Sequence, residues 1–277
     1  MSEHLLSFLM GSGVGAILAL TGAGGGILAV PLLMFGLHMS LVQAAPVGLL
    51  AVGMASAVGA VLGLREGVVR YRAAAIIGLT GMAVAPLGVQ LAHELPSTPL
   101  TIVFSFVLAW VALRSWRQSR MSAAAVATAH PTALARCEIC EFDPAYGRLK
   151  LAAPCVLALA GMGALSGLLS GLLGVGGGFV IVPMMASISN VPMKGVVATS
   201  LAVITLVSVG GLAGAVSKGA VDWSIAIPFT VGAMIALLAG RYLGKRLAGA
   251  HLHQAFSATA GAVALLLLLR GLGLLGL

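Results

Sequence analysis

Charge is what this sequence has least of. Asp and Glu together number seven in 277 residues, and charged residues of both signs make up 8%, against about a quarter in an ordinary soluble domain. With a mean hydropathy of +1.12, this composition excludes a soluble globular protein and reads as an integral membrane protein. No stretch alternates apolar and polar residues as a transmembrane strand does, which excludes a β-barrel. Residues 1–20 lack a basic start and a clear cleavage site, so no cleavable signal peptide is expected and the first apolar stretch is retained. Three cysteines exclude a disulfide framework. The seven carboxylates (Glu3, Glu66, Glu94, Glu138, Glu141, Asp143 and Asp222) fall near apparent loops or ends. None lies in mid-span, where a proton relay would need one. No nucleophile–base pair and no His-x-x-Glu-His cluster appears within the apolar stretches, so an enzyme is not expected, and neither is a cofactor or a metal.

Apolar length, by contrast, is abundant. The stretches 44–64, 73–92, 99–116, 151–172, 196–217, 223–243 and 255–275 each approach the roughly 20 residues of a spanning helix. The net charge of +8 follows from basic loops on the cytoplasmic side of a membrane. A nucleic-acid surface would need a soluble basic patch that this chain lacks.

Glycine is the other abundance, and it is repeated. Residues 22–31 read GAGGGILAVP and residues 174–183 read GVGGGFVIVP, identical at six of ten positions, four of them glycine. The offset is 152 residues (174 minus 22). At the same offset Gly11 and Gly15 fall on Gly163 and Gly167, Ser56 and Gly59 on Ser208 and Gly211, Gly67 on Gly219, and Gly88 on Gly240. Such register is the mark of an internal duplication, common in secondary transporters. Basic residues indicate that the second copy is inverted. Copy one carries Arg65, Arg70 and Arg72 around a loop whose counterpart, 217–222, holds only Lys218 and Asp222. Copy two instead clusters Arg241, Lys245 and Arg246, where copy one has a loop without Lys or Arg. Inversion puts 13 of the 15 Lys and Arg residues on the cytoplasmic side, with Lys218 and Arg270 outside. The predicted fold is an all-α polytopic membrane protein with two inverted-topology repeats of about five helical segments each. The expected units are an N-terminal repeat over 1–117, a cytoplasmic linker over 118–150 and a C-terminal repeat over 151–277.

About 12 apolar residues follow each glycine cluster before the next loop. A helix of that length rises about 18 Å, against a hydrocarbon core of about 30 Å. Each cluster is therefore expected to break a helix deep in the membrane and open a short re-entrant one. A break leaves backbone N–H groups unpaired, tolerated only in protein or a polar cavity, and a helix N-terminus favours an anion. The expected site is a paired cradle for a small anion, formed by Gly22, Gly24, Gly25 and Gly26 with Gly174, Gly176, Gly177 and Gly178. Pro31 and Pro183 would shape the short helices. Packing is the competing role of small residues, and it is the expected one for Gly11-x3-Gly15 and Gly240-x3-Gly244. Dinucleotide binding is not expected, because Gly174-x-Gly176-x-x-Phe179 lacks the final glycine, and no Walker-type lysine follows.

GAGGGILAVPLL at 22–33, GVGGGFVIVPMM at 174–185 and ATSLAVI at 198–204 resemble the sulfite exporter TauE/SafE family, also called the 4-toluene sulfonate uptake permeases. The resemblance implies a multi-pass bacterial inner-membrane permease that moves sulfite, a sulfonate or a related small anion. Alternating access is the mechanism expected of such a duplicated carrier. Thr199-Ser200 of copy two stands where copy one has Val47-Gly48, and Thr21 stands where copy two has Leu173. Thr21, Thr199 and Ser200 are the candidate hydroxyl donors. Two alternatives use the same residues: an anion channel or facilitator, and a non-transporting membrane assembly factor in which the glycines only pack. Lipid and the small anion are the expected partners, and a homodimer stays open. His38 and Asn190, equivalent at the ends of the short helices, either line a vestibule or, the favoured reading, serve as caps or surface residues. Lys194 reads as a positive-inside charge. Cys137-x2-Cys140 in the linker reads as a thiol pair without metal. Linker residues 118–136 are expected to be flexible, and FDPAYGRLKL at 142–151 to form a small ordered turn.

Overall fold

The computed structural model describes residues 3–21, 26–125, 142–143, 148–149, 153–188, 191–243 and 261–267. Its elements are α1 (Glu3–Thr21), α2 (Ala29–Gly36), α3 (Leu41–Arg65), α4 (Tyr71–Glu94), α5 (Ser97–Ala125), the strand pair β1 (Phe142–Asp143) and β2 (Arg148–Leu149), α6 (Ala153–Leu173), α7 (Gly178–Ile188), α8 (Met193–Ser217) and α9 (Trp223–Leu243). Residues 261–267 are also helical. Five of these helices, α3, α4, α6, α8 and α9 as far as Gly240, are long and apolar enough to cross a membrane. The protein is an all-α, multi-pass membrane protein. β1 and β2 form one short antiparallel pair, Phe142 opposite Leu149 and Asp143 opposite Arg148, at the two ends of the linker stretch expected to turn. α5 runs on to Ala125, into the stretch expected to be flexible. That stretch is rich in alanine, the strongest helix former. Cys155, buried near the start of α6, is disulfide-bonded. Cys137 and Cys140 lie outside the described residues.

The element boundaries repeat the sequence offset. α3 and α8 start 152 residues apart (193 minus 41) and end 152 apart (217 minus 65), and α1 and α6 end 152 apart (173 minus 21). The loops that follow α3 and α8 are built alike. Gly67 and Gly219 both adopt left-handed backbone, at φ 68° and 65°. The amides of Val68 and Ala220 return to the carbonyls of Gly63 and Ala215, each at 3.1 Å. These are the glycine-terminated helix ends expected where only glycine enters the left-handed region without strain.

Small residues set the packing. A side-chain carbon on Gly11 or Gly15 would overlap the backbone carbonyls of Phe229 and Ala233, and one on Gly163 or Gly167 those of Ile77 and Gly81. Residue numbers rise together in both pairs, so α1 runs parallel to α9, and α6 parallel to α4. The first pair maps onto the second at the repeat offset. α3 and α8 lie antiparallel instead: Leu49 meets Gly211, Gly53 meets Ser208, and Gly59 meets Leu201.

Two apolar cores result. One joins α1, α2, α3, α5 and α9 with the facing ends of α6 and α7 and the middle of α8, and the other joins α4, α6, α7 and α8. Both cores therefore draw on both repeats: α9 packs along α1 in the first, and α4 along α6 in the second.

Candidate functional site

The two helix breaks meet in the middle of the molecule. Residues 26–28 form a tight helical turn that leads into α2, and Gly36 at the far end of α2 lies beside Met10 of α1. α1 and α2 are thus a hairpin with Gly26 at its tip. α6 and α7 form the second hairpin, closed by the Ser166 hydroxyl donating to the Gly177 carbonyl at 3.3 Å. A side-chain carbon on Gly26 would meet Val52 Cγ1 at 2.8 Å and the Val175 carbonyl oxygen at 3.2 Å. One on Gly176 would meet Ile204 Cγ2 at 2.9 Å and Val52 Cγ1 at 3.1 Å. Val52 and Ile204 are equivalent residues near the centres of α3 and α8. Both tips therefore sit at mid-height of helices that span the apolar layer.

The second tip needs its glycines. Gly174, Gly176 and Gly177 have φ of 71°, 76° and 68°, a left-handed run that costs other residues roughly 1–2 kcal/mol each. α7 begins at Gly178, and its first helical bonds run from Val180 and Ile181 to the Gly177 carbonyl, at 3.1 and 3.3 Å. The amides before them have no acceptor within the helix. α2 has eight residues and α7 eleven, about 12 and 16 Å of rise. Neither reaches across the hydrocarbon layer.

The family model for the sulfite exporter TauE/SafE matches residues 7–267, nearly the whole chain and both hairpins. The chain belongs to that family. Membership places it among membrane transporters rather than enzymes. A probable membrane transporter protein of Xylella fastidiosa (strain 9a5c) is 30% identical over 250 residues, covering 89% of this chain and 87% of its own length. A second one, from X. fastidiosa strain Temecula1, is 27% identical over 279 residues, covering 98% of this chain and 97% of the relative. A probable membrane transporter protein of Methanocaldococcus jannaschii is 33% identical over 116 residues, 39% of this chain and 43% of its own. No solved structure matches this TauE/SafE chain.

The remaining candidates are dispersed. Gly22, Gly24 and Gly25 lie outside the described residues, as does Asn190, and Thr21 is the last residue of α1. Pro31 is buried in the first turn of α2, and Pro183 lies inside α7. Thr199 and Ser200 are fully buried, but four to five residues before Ile204, roughly 6–8 Å along α8. The Thr199 hydroxyl donates to the Gly195 carbonyl at 2.6 Å and accepts from the Arg70 amide at 3.0 Å. It ties the loop after α3 to the first turn of α8. Ser200 donates to the Val197 carbonyl at 2.7 Å. Lys194 is exposed in that first turn.

Other hydroxyls lie at a similar distance from the tips. Ser56, Ser170 and Ser208 are buried and have no hydrogen-bond partner among the described residues. Ser56 and Ser208 follow Val52 and Ile204 by one turn, and the Ser170 carbonyl accepts from the Gly174 amide at 2.8 Å. Unpaired buried hydroxyls carry a desolvation cost that a polar ligand would relieve. The sequence signal for two of them was the coincidence of Ser56 with Ser208 at the repeat offset.

Proposed function

We propose that this protein is a secondary transporter that carries a small sulfur-containing anion, sulfite or an organosulfonate, across the inner membrane by alternating access. The observation that carries the reading is the meeting of both glycine-cluster tips beside Val52 and Ile204, midway along the two antiparallel central helices. Unpaired amides at a helix start favour an anion, and glycine lets the ligand reach the backbone. Gly26, Gly174, Gly176, Gly177 and Gly178 supply the cradle, with Gly22, Gly24 and Gly25 completing the first tip. Thr21, Thr199 and Ser200 would add hydroxyl donors.

The antiparallel packing of the equivalent helices α3 and α8 supports insertion of the two repeats with opposite orientation. In that orientation the loop after α3 and the linker face the cytoplasm, and the loop after α8 faces the other side.

The test is uptake of radiolabelled sulfite into liposomes holding the purified protein, with sulfonates, thiosulfate and sulfate as competitors. The expected result is saturable uptake, accelerated by sulfite preloaded inside. Flux without saturation or counterflow would make it a channel. Uptake equal to that of empty liposomes for every anion, in both directions, would overturn the sulfur-anion reading. Gly177→Val, which forces a branched side chain onto a left-handed backbone against Ser166, is expected to abolish uptake in protein that still elutes as a single folded species. Failure of this variant to insert, with wild-type uptake absent, would leave packing as the role of the glycines.

A further inference from the structure

A cavity of about 500 Å³ opens at the end of the molecule where α3 begins and α4 and α8 end. His38, Gln43, His93, Lys218 and Asp222 line it with apolar neighbours. These groups come from the α2–α3 loop, the first turn of α3, the end of α4 and the α8–α9 loop.

Its polar lining is almost entirely donor. Gln43 belongs to a capping box: its side-chain oxygen accepts from the Ser40 amide at 3.2 Å, and its own amide donates to the Ser40 hydroxyl oxygen at 3.4 Å. With the oxygen engaged, the amino group is the end left for the cavity. The side chains of Lys218, His38 and His93 have no hydrogen-bond or ion-pair partner among the described residues. Asp222 is the one carboxylate in the lining. It is turned to its own helix, accepting from the Ser224 hydroxyl at 2.6 Å and the Ser224 amide at 3.1 Å. The cavity thus offers an ammonium, an amide donor and two imidazoles against a single carboxylate, one oxygen of which, Oδ1, is held by Ser224. A ligand that fits it accepts hydrogen bonds and carries negative charge.

The cavity also leads inward. A second, narrow space of about 10 Å³ shares Val42 and His93 with it and ends against Gly171 and Gly174. That is room for about one water molecule, between the open cavity and the second glycine tip.

We propose that this cavity is a capture site for the small anion, anchored by Lys218 and Gln43, from which the anion passes His93 to the Gly174 tip. The proposal rests on the anion-transport reading for the identity of the ligand. Its test is equilibrium binding of radiolabelled sulfite to the purified full chain, run beside liposome uptake, for wild type, Lys218→Ala, Lys218→Arg and Glu94→Gln. Glu94 is an exposed charge on the same face but outside the cavity lining.

Lys218→Ala is expected to raise the half-saturating sulfite concentration about five-fold, as the loss of one unit charge about 4 Å away in a water-like medium would. Lys218→Arg is expected to restore most of it, and Glu94→Gln to shift it less than about two-fold, since exposed charges are screened. Equal binding by wild type and Lys218→Ala overturns the capture site, whether or not the liposomes take up sulfite. So does a wild-type protein that binds none of the anions. Binding that depends on Lys218 in a protein without flux keeps the capture site and removes the transport reading instead.

Discussion

The loops after α3 and α8 share one backbone and do opposite things. Both end on a left-handed glycine and the same pair of returning amides. The loop at 66–70 is shut: Val69 is buried, the Val68 carbonyl oxygen lies 3.5 Å from where a Gly195 side chain would begin, and the Arg70 amide donates to Thr199. The loop at 218–222 stands away from the first turn of α3 and leaves the cavity open over Gln43. Backbone geometry does not decide between the two states; the residue it meets does. Thr199 supplies an acceptor for the first loop, and its counterpart Val47 supplies none for the second. On the alternating-access reading proposed above, this is the asymmetry of a molecule open to one side and closed to the other.

The comparison can be broken first at its symmetric parts. Gly15→Leu and Gly167→Leu each drive a side chain into a backbone carbonyl of the neighbouring helix. Both are expected to lower stability by more than the roughly 1–3 kcal/mol of ordinary overpacking, because backbone cannot rotate away. Thermal unfolding in detergent should show both variants as aggregated or strongly destabilised, and to a similar degree. Loss confined to one of them would mean that the equivalent contacts are not of equal weight.

A smaller effect is expected where the halves differ. Thr199→Val keeps shape but leaves the Arg70 amide without its acceptor, at roughly 1–3 kcal/mol. Cysteine accessibility at Val68 is expected to rise as the loop loosens. The reciprocal change, Val47→Thr, offers the missing hydroxyl to the loop at 218–222, and accessibility at Ala220 is expected to fall. Unchanged accessibility in both variants would disconnect the hydroxyl from closure.

The smallest effect concerns the helix starts. Asp222 caps α9 through its carboxylate, whereas its counterpart Arg70 gives α4 no side-chain cap. The Ser224 hydroxyl holds the Asp222 carboxyl below its usual value. A carboxyl with a depressed folded value stabilises above its unfolded value and stops doing so as pH falls through the folded one. Asp222→Ala is therefore expected to cost up to about 1 kcal/mol near neutral pH, with the difference from wild type shrinking once pH drops below the carboxylate range. A constant difference across that range would assign the cost to lost packing instead.

The sequence made the repeats legible because glycines and prolines are rare enough to keep register visible through apolar drift. That register placed the breaks at Gly26 and Gly174, the short helices after them, and the packing role of Gly11 and Gly15. It was silent on partners across the repeats, since nothing local in α1 encodes the carbonyl of Phe229. The hydroxyl of Thr199 was legible as polar but not as a tie, because its partner is a backbone amide, and every residue has one. The cavity was missed for a related reason. His38, His93, Lys218 and Asp222 lie in three separate stretches with no common spacing, and apart from His38, with its alternative place in a vestibule, each alone reads as an ordinary loop or helix-end residue. Residues 118–125 continue α5 because alanine, the strongest helix former, offsets the serines beside it.

The exchange of helices between cores also governs how the chain is made. α1 is made before α9, and the carbonyls that its glycines are shaped to meet arrive more than two hundred residues later, at Phe229 and Ala233. Until then its small-residue face must shelter against lipid or an insertion factor. Neither repeat finished alone contains a closed core. Cut in the linker, the gene would yield two fragments that are each incomplete, yet carry complementary faces for finding one another.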